Sequence, residues 1–222
     1  YLAIEKINHF KARGFNRLYT DLMKQAGIKP DSVKPKTGEE SEASQSSVED
    51  TSNNAKGKYT RIKTEAELVK LVKEFQKAKL FCVDTETTSV DPMLAELLGI
   101  ALSKEEGIGY YIPIAYSQSL FANNCLPLDT VVTHIKPLLE NSKIEKVGQN
   151  IKYDMIVLKN HGIEVENVTF DTMLASYCIQ PGSRRHGMDD LAEDYLEYKT
   201  ITYDELVGTG KKKQELYNVD PD

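Results

Sequence analysis

The sequence predicts a mixed β-sheet flanked by helices, an α/β or α+β layer architecture, over Lys58–Asp222. Three observations predict it. Three strand-like runs come first, joined by short connections that favour antiparallel pairing. Helix and strand patterns then alternate, which favours parallel pairing beside them. The helical segments carry apolar residues at i, i+3 and i+4, so each has one face to bury.

Two segments precede that region. Tyr1–Pro30 is basic, with Lys6, Lys11, Arg13, Arg17, Lys24 and Lys29 against Glu5 and Asp21. Ile7, Phe10, Leu18, Leu22 and Met23 stand partly at helical spacing, Gly14 interrupts them, and Gly27 with Pro30 ends the pattern. One or two short amphipathic helices are expected, packed as the tail of a preceding domain; a DNA-binding arm is the competing reading. Asp31–Gly57 is rich in Ser, Glu, Asn and Thr and lacks aromatic residues. Such a stretch buries too little apolar surface to offset its ordering entropy and is expected to be a flexible, disordered linker.

The folded region starts with Thr64-Glu65-Ala66-Glu67, a capping box, followed by Leu68, Leu71, Val72 and Phe75 at helical spacing. Leu80–Glu86 reads as a strand. Leu97–Ser103 and Ile108–Ile114 read as two more, turning at Glu105-Glu106-Gly107. Leu128–Glu140 reads as a helix with Asp129 as N-cap. Lys146–Gly148 is a short strand, and Ile151–Asn160 a helix opened by Asn150 and ended by His161-Gly162. Asp171–Ile179 and Met188–Leu196 are further helices, with Asp171, Asp189 and Asp190 at their N-caps. No internal repeat is present.

Composition narrows the function. The chain has 222 residues, is 40% hydrophobic and 28% charged, and carries a formal charge of −6. No apolar run spans a membrane, and Tyr1 is not followed by a secretory signal pattern. A start at Tyr1 is what a fragment or processed chain would show. Cys82, Cys125 and Cys178 are odd in number and far apart, which argues against a disulfide framework or a zinc site and points to a reducing cytoplasm. Arg184-Arg185-His186 and Lys211-Lys212-Lys213 sit in Gly-containing loops as solvated charge or phosphate contacts. Gly208–Gly210 does not have P-loop spacing. His134 and His161 are expected on a helix face and at a helix end rather than as ligands.

The stretch Phe81–Pro92, FCVDTETTSVDP, carries the chemistry. An apolar strand ends in Asp84 and Glu86, which share one face of a strand while Thr85 takes the other. Two like charges at that spacing repel, and burial raises their pKa values. Such a pair shares a proton, points into water, or holds a cation. A magnesium or manganese site needs further oxygen ligands. Asp154, in VGQNIKYD, is the best additional carboxylate: it falls in the first turns of a helix, where the helix dipole favours it. It reaches the pair if the Val147 strand lies beside the first.

FCVDTETTSVDP, KVGQNIKYD, FDTMLASY and PGSRRHGMDDLAEDYLEYKTITYDEL together resemble the 3′→5′ exonuclease domain of the bacterial DNA polymerase I family, over nearly all of Lys58–Asp222. Tyr1–Pro30 resembles the tail after the 5′-nuclease domain of the same enzymes. The resemblance implies a ribonuclease-H-like sheet with DEDD exonuclease chemistry and two divalent metal ions, Mg2+ or Mn2+. By resemblance Asp84 bridges the metals, Glu86 binds the water-bearing one, and Asp154 anchors the second through water. It also implies that Thr85, Val90, Gln149, Asn150, Tyr153 and Tyr217 line or support the substrate cleft. At the position of Val90 the family usually has a larger Leu.

The implied partners are single-stranded or frayed DNA 3′ ends and the polymerase and 5′-nuclease domains of the same parent chain, acting as a cytoplasmic monomer. The family's third motif, a Tyr followed four residues later by Asp, would lie beyond Asp222. A chain without it is expected to be weakly active or inactive on its own. Two alternatives stand beside this reading: a catalytically silent scaffold for the polymerase, and a DEDD exonuclease acting on RNA.

Overall fold

The computed structural model describes residues 57–221. The helical tail expected over 1–30 and the linker over 31–56 lie outside the described residues. The described residues fall into two compact units, 57–175 with 187–221 and, separately, 176–186.

Six strands form one sheet: β1 (Lys58–Arg61), β2 (Leu80–Thr87), β3 (Leu97–Glu105), β4 (Ile108–Pro113), β5 (Glu145–Gly148) and β6 (Val168–Asp171), in the spatial order β1-β4-β3-β2-β5-β6. The β2–β3 and β3–β4 pairs are antiparallel, while β1–β4, β2–β5 and β5–β6 are parallel. The mixed sheet read from the sequence is therefore present, and the turn at Gly107 uses a left-handed backbone (φ 70°). The helices are α1 (Glu65–Phe75), α2 (Leu128–Leu139), α3 (Lys152–Asn160), α4 (Thr172–Ile179), α5 (Met188–Leu196) and α6 (Tyr203–Val207).

Alternation along β2 divides the sheet into two unlike faces. Phe81, Val83 and Thr85 are buried on one face; Cys82, Asp84 and Glu86 lie on the other, only partly buried. The register carries this division across the sheet, placing Val83 beside Leu102 and Thr85 beside Ile100. The core is built on this first face. Leu68, Leu71, Val72 and Phe75 of α1 join Val131, Ile135, Leu138 and Leu139 of α2 and Val157 and Leu158 of α3. Phe75 meets Phe81 and Tyr110 edge-on, with ring centroids 5.5 and 5.6 Å apart. The capping box opens α1 as expected: Thr64 Oγ1 accepts from the Glu67 N–H, and Glu67 Oε2 accepts from the Thr64 N–H.

Several boundaries differ from expectation. Pro127, not Asp129, stands at the α2 N-cap; proline's fixed φ and missing donor suit a helix start. Ile151, not Asn150, precedes α3, because Asn150 is in a left-handed turn (φ 53°). Asp189 and Asp190 fall inside the first turn of α5 behind Gly187, where the macrodipole favours them. Asp171 does cap its helix, accepting from the Met173 and Leu174 N–H groups, and it also ends an unexpected strand, β6. Strands β1 and β6 were not foreseen because each is four residues at a sheet edge, with Tyr59 71% and Phe170 52% exposed instead of an alternating apolar face.

Phe81 is fully buried at the centre of this core. Phe81→Ala is expected to lower unfolding free energy by about 3–5 kcal/mol, measured as a fall in the urea midpoint at unchanged slope.

Candidate active site

The site begins where a parallel strand stops. Pairing of β2 with β5 ends at Cys82–Val147. One residue on, Gly148 runs so close to β2 that an added Cβ would stand 2.9 Å from the Val83 carbonyl oxygen. The chain then turns through Gln149 and Asn150 into α3, which brings Asp154 against β2. Asp154 Oδ1 accepts from the Thr85 N–H at 2.9 Å and from Thr85 Oγ1 at 2.6 Å. A side-chain oxygen thus takes the place of the strand carbonyl that β5 no longer supplies. Asp154 is 3% exposed, and its Oδ2 accepts no hydrogen bond from another described residue.

A second carboxylate fixes this helix start. Asp171 Oδ1 accepts from the N–H of Asn150, Met173 and Leu174, and its Oδ2 accepts from the Ile151 N–H, at 2.9–3.2 Å. One buried side chain therefore ties the opening of α3 to the opening of α4. The sequence marked Asp171 only as a cap for its own helix. Its bonds to Asn150 and Ile151, 21 and 20 residues away, depend on β5 and β6 being neighbours.

The electrostatics follow from burial. Burial pushes the Asp84 carboxyl up to about 6, with the Glu86 charge adding to the effect. Burial likewise pushes Asp154 up to about 6, aided by Asp84 and opposed by the Thr85 hydrogen bonds. Glu86 is raised by burial and by Asp154. The three acids therefore act on one another. No described Lys, Arg or His forms an ion pair with them. Cys82 beside them is raised to about 11, by burial first and then by Asp84 and Asp154.

These acids are hard oxygen donors with unneutralised charge, which fits a divalent cation. Among the described residues no group of three or more His, Cys, Asp and Glu stands close enough together to hold a metal ion.

The remaining residues divide between two adjoining cavities. A groove of about 380 Å3 is lined by Thr85–Val90, Asn150, Tyr153, Tyr203 and Leu216. Tyr153 shapes its floor, because its hydroxyl meets Thr87 Oγ1 and the Ser89 carbonyl. Val90 is 97% exposed at the rim. Gln149 lies beside the groove, its Oε1 accepting from Thr172 Oγ1. Tyr217 lines the other cavity, about 240 Å3, tilted against Tyr116 with centroids 5.1 Å apart. The carbonyl of Tyr217 accepts from Ser119 Oγ, holding this turn over the Tyr116–Phe121 loop. Glu86 and Leu216 line both cavities. Tyr203, Leu216 and Tyr111 were not singled out from the sequence; Tyr111 sits in a strand where a half-buried aromatic is ordinary.

The 3′-5′ exonuclease family matches residues 59–218. The chain belongs to that family. A DNA polymerase I of Pseudomonas aeruginosa is 37% identical to the exonuclease over 177 residues, covering 79% of this chain and 19% of the relative. A DNA polymerase I of Borreliella burgdorferi is 39% identical over 151 residues, covering 68% and 16%. The exonuclease thus spans less than a fifth of the length of these curated relatives. Among solved structures, a Trypanosoma brucei RNase D in complex with GMP shares its fold, with a TM-score of 0.58 at 19% identity over 73% of this chain and 49% of that one. The ribonuclease-H-like exonuclease sheet implied by the sequence is the fold found.

The raised carboxyls give the metal-free exonuclease a defined pH dependence. Asp84 holds its proton up to about 6 when folded, against about 3.9 unfolded. Its contribution is therefore complete below pH ~4 and is lost as pH rises through ~6. In a chelating buffer, Asp84→Asn is expected to melt at a higher temperature than wild type at pH 8 and at an equal one at pH 4, as followed by circular dichroism.

Proposed function

We propose that the chain is the proofreading part of a DNA polymerase and removes nucleotides from DNA 3′ ends by hydrolysis with divalent cations. The observation that carries this reading is Asp154, buried and held by Thr85 against β2, with Asp84 close enough to raise its affinity for a proton and Glu86 raised in turn by Asp154. Such an arrangement is unfavourable by itself, since burial and like charge both oppose ionisation. A scaffold has no use for it. The curated relatives support DNA as substrate, because those at 37% and 39% identity are DNA polymerases. The shared fold with an RNase D does not choose between DNA and RNA.

Asp84, Glu86 and Asp154 would hold two divalent ions, Mg2+ or Mn2+. Bound there, the ions supply the charge that acidifies water and offsets the departing oxygen. The protein's own groups do the rest. Thr85 fixes Asp154 Oδ1 and leaves Oδ2 to the ligand. Asp171 keeps α3 in register with the strand end. The groove beside Thr85–Val90 receives the strand, with Val90 presenting an apolar contact to a base and Tyr153 keeping that loop in place. Asn150 borders the same groove, with Gln149 next to it in the chain, and Tyr217 walls the neighbouring one. In the overall change, a water oxygen bonds to phosphorus, the P–O3′ bond breaks, and the leaving 3′-oxygen ends protonated. No covalent intermediate with the protein is required.

In the protein, Asp84→Ala is expected to cut magnesium-dependent release of nucleotides from single-stranded 3′ ends by a factor of about 1,000 or more, on the scale of removing a main charge-stabilising group. It should also abolish the rise in melting temperature that Mn2+ gives wild type. Undiminished release by this variant in the parent polymerase removes Asp84 from the mechanism; a parent polymerase whose wild type is silent on 3′ ends returns the scaffold reading.

A further inference from the structure

The face that carries the acids extends across β3 to β4. The register aligns Asp84 with Ala101 and Tyr111, and Glu86 with Gly99 and Pro113. Residues in one such row share a face. Ala101 and Gly99 have the smallest side chains, so the sheet is bare between the acids and β4. Tyr111 covers that space. Its ring lies across Gly99, where an added Cβ would stand 2.4 Å from the phenol oxygen. Gly99 is the residue paired with Glu86, so the phenol reaches the row of that acid. Tyr111 and Glu86 line the same 240 Å3 cavity, which adjoins the groove at Glu86 and Leu216.

The chemistry of this hydroxyl differs from that of its neighbours. Asp84, Glu86 and Asp154 only accept hydrogen bonds when ionised, and they repel an anionic strand. Tyr111 is half-buried, and its hydroxyl makes no hydrogen bond to any described residue. A phenol, with an ordinary pKa of about 10, is a neutral donor at pH 7. It therefore offers what the acids lack: a donor that brings no further charge.

We propose that Tyr111 is a substrate-contacting residue of this site, donating its hydroxyl hydrogen to an acceptor oxygen of the last nucleotide of the strand, in room that Gly99 provides. The inference rests on the exonuclease reading of the same site and adds a specific contact to it. It also assigns Gly99 a role, since any side chain there displaces the phenol.

The test compares wild type with Tyr111→Phe, which removes one oxygen and keeps the ring. The probe is a fluorescein-labelled single-stranded DNA with a free 3′ end, titrated in Ca2+ to suppress turnover, followed by steady-state release in Mg2+. The expected result is a Kd and a KM each raised about fivefold, the size of one lost hydrogen bond, with kcat within twofold and melting temperature and Mn2+ affinity unchanged. Gly99→Ala should raise Kd and KM in the same way. Equal Kd and KM for Tyr111→Phe and wild type overturn the inference and leave the exonuclease reading intact. A fall in kcat and stability with KM unchanged also overturns it, by making Tyr111 structural. A wild type that neither binds the strand nor takes Mn2+ overturns both.

Discussion

The site depends on one pair of hydrogen bonds, from the Thr85 N–H and hydroxyl to Asp154 Oδ1. They join a strand end to a helix start at the point where the neighbouring strand has run out. A strand edge left open inside a protein costs free energy, since a buried N–H without an acceptor is rarely tolerated. Here the acceptor is a carboxylate, so the same atom that satisfies the backbone also brings negative charge to Asp84 and Glu86. Local folding and the gathering of the acids are therefore a single event. The residual repulsion is what the proposed cations would relieve.

The supports of that contact are mostly backbone. Gly148 lets β5 approach β2 closely enough to aim α3. Asp171 takes N–H groups from the openings of two helices and so spaces them. Tyr153, one residue before Asp154, fastens the Thr87–Val90 loop through its hydroxyl. Fixing a buried acid by bonds to the backbone and to neighbouring loops is how an arrangement of mutually repelling groups keeps its geometry.

How much of this was readable in the chain depended on the range of the interactions. The capping box of Thr64 and Glu67, the alternation in β2 and the turn at Gly107 are local, and all three were legible. The pairing of Asp84 with Glu86 follows from strand period alone. Asp154 was legible as a candidate because VGQNIKYD shows a strand running into a helix, though its partner Thr85 was not, being 69 positions away. Asp171 was read through its own helix, and its bonds to Asn150 and Ile151 were hidden because they need β6, a four-residue edge strand with little apolar pattern. Tyr217 was assigned by likeness and not by any local pattern: a single turn of 3-10 helix at Leu216–Asn218 carries it, beside Tyr116, in the cavity that adjoins the groove at Leu216. Tyr203 sits on a five-residue helix whose own capping box, Thr202 to Glu205, was readable but went unread.

Cys82 shares the face of the acids, and its thiol is held protonated to about pH 11. At neutral pH only about one molecule in ten thousand carries the thiolate, the form that oxidants and alkylating reagents attack. The sulfur on the acidic face is thereby kept in its unreactive form, by burial first and by the neighbouring anions second.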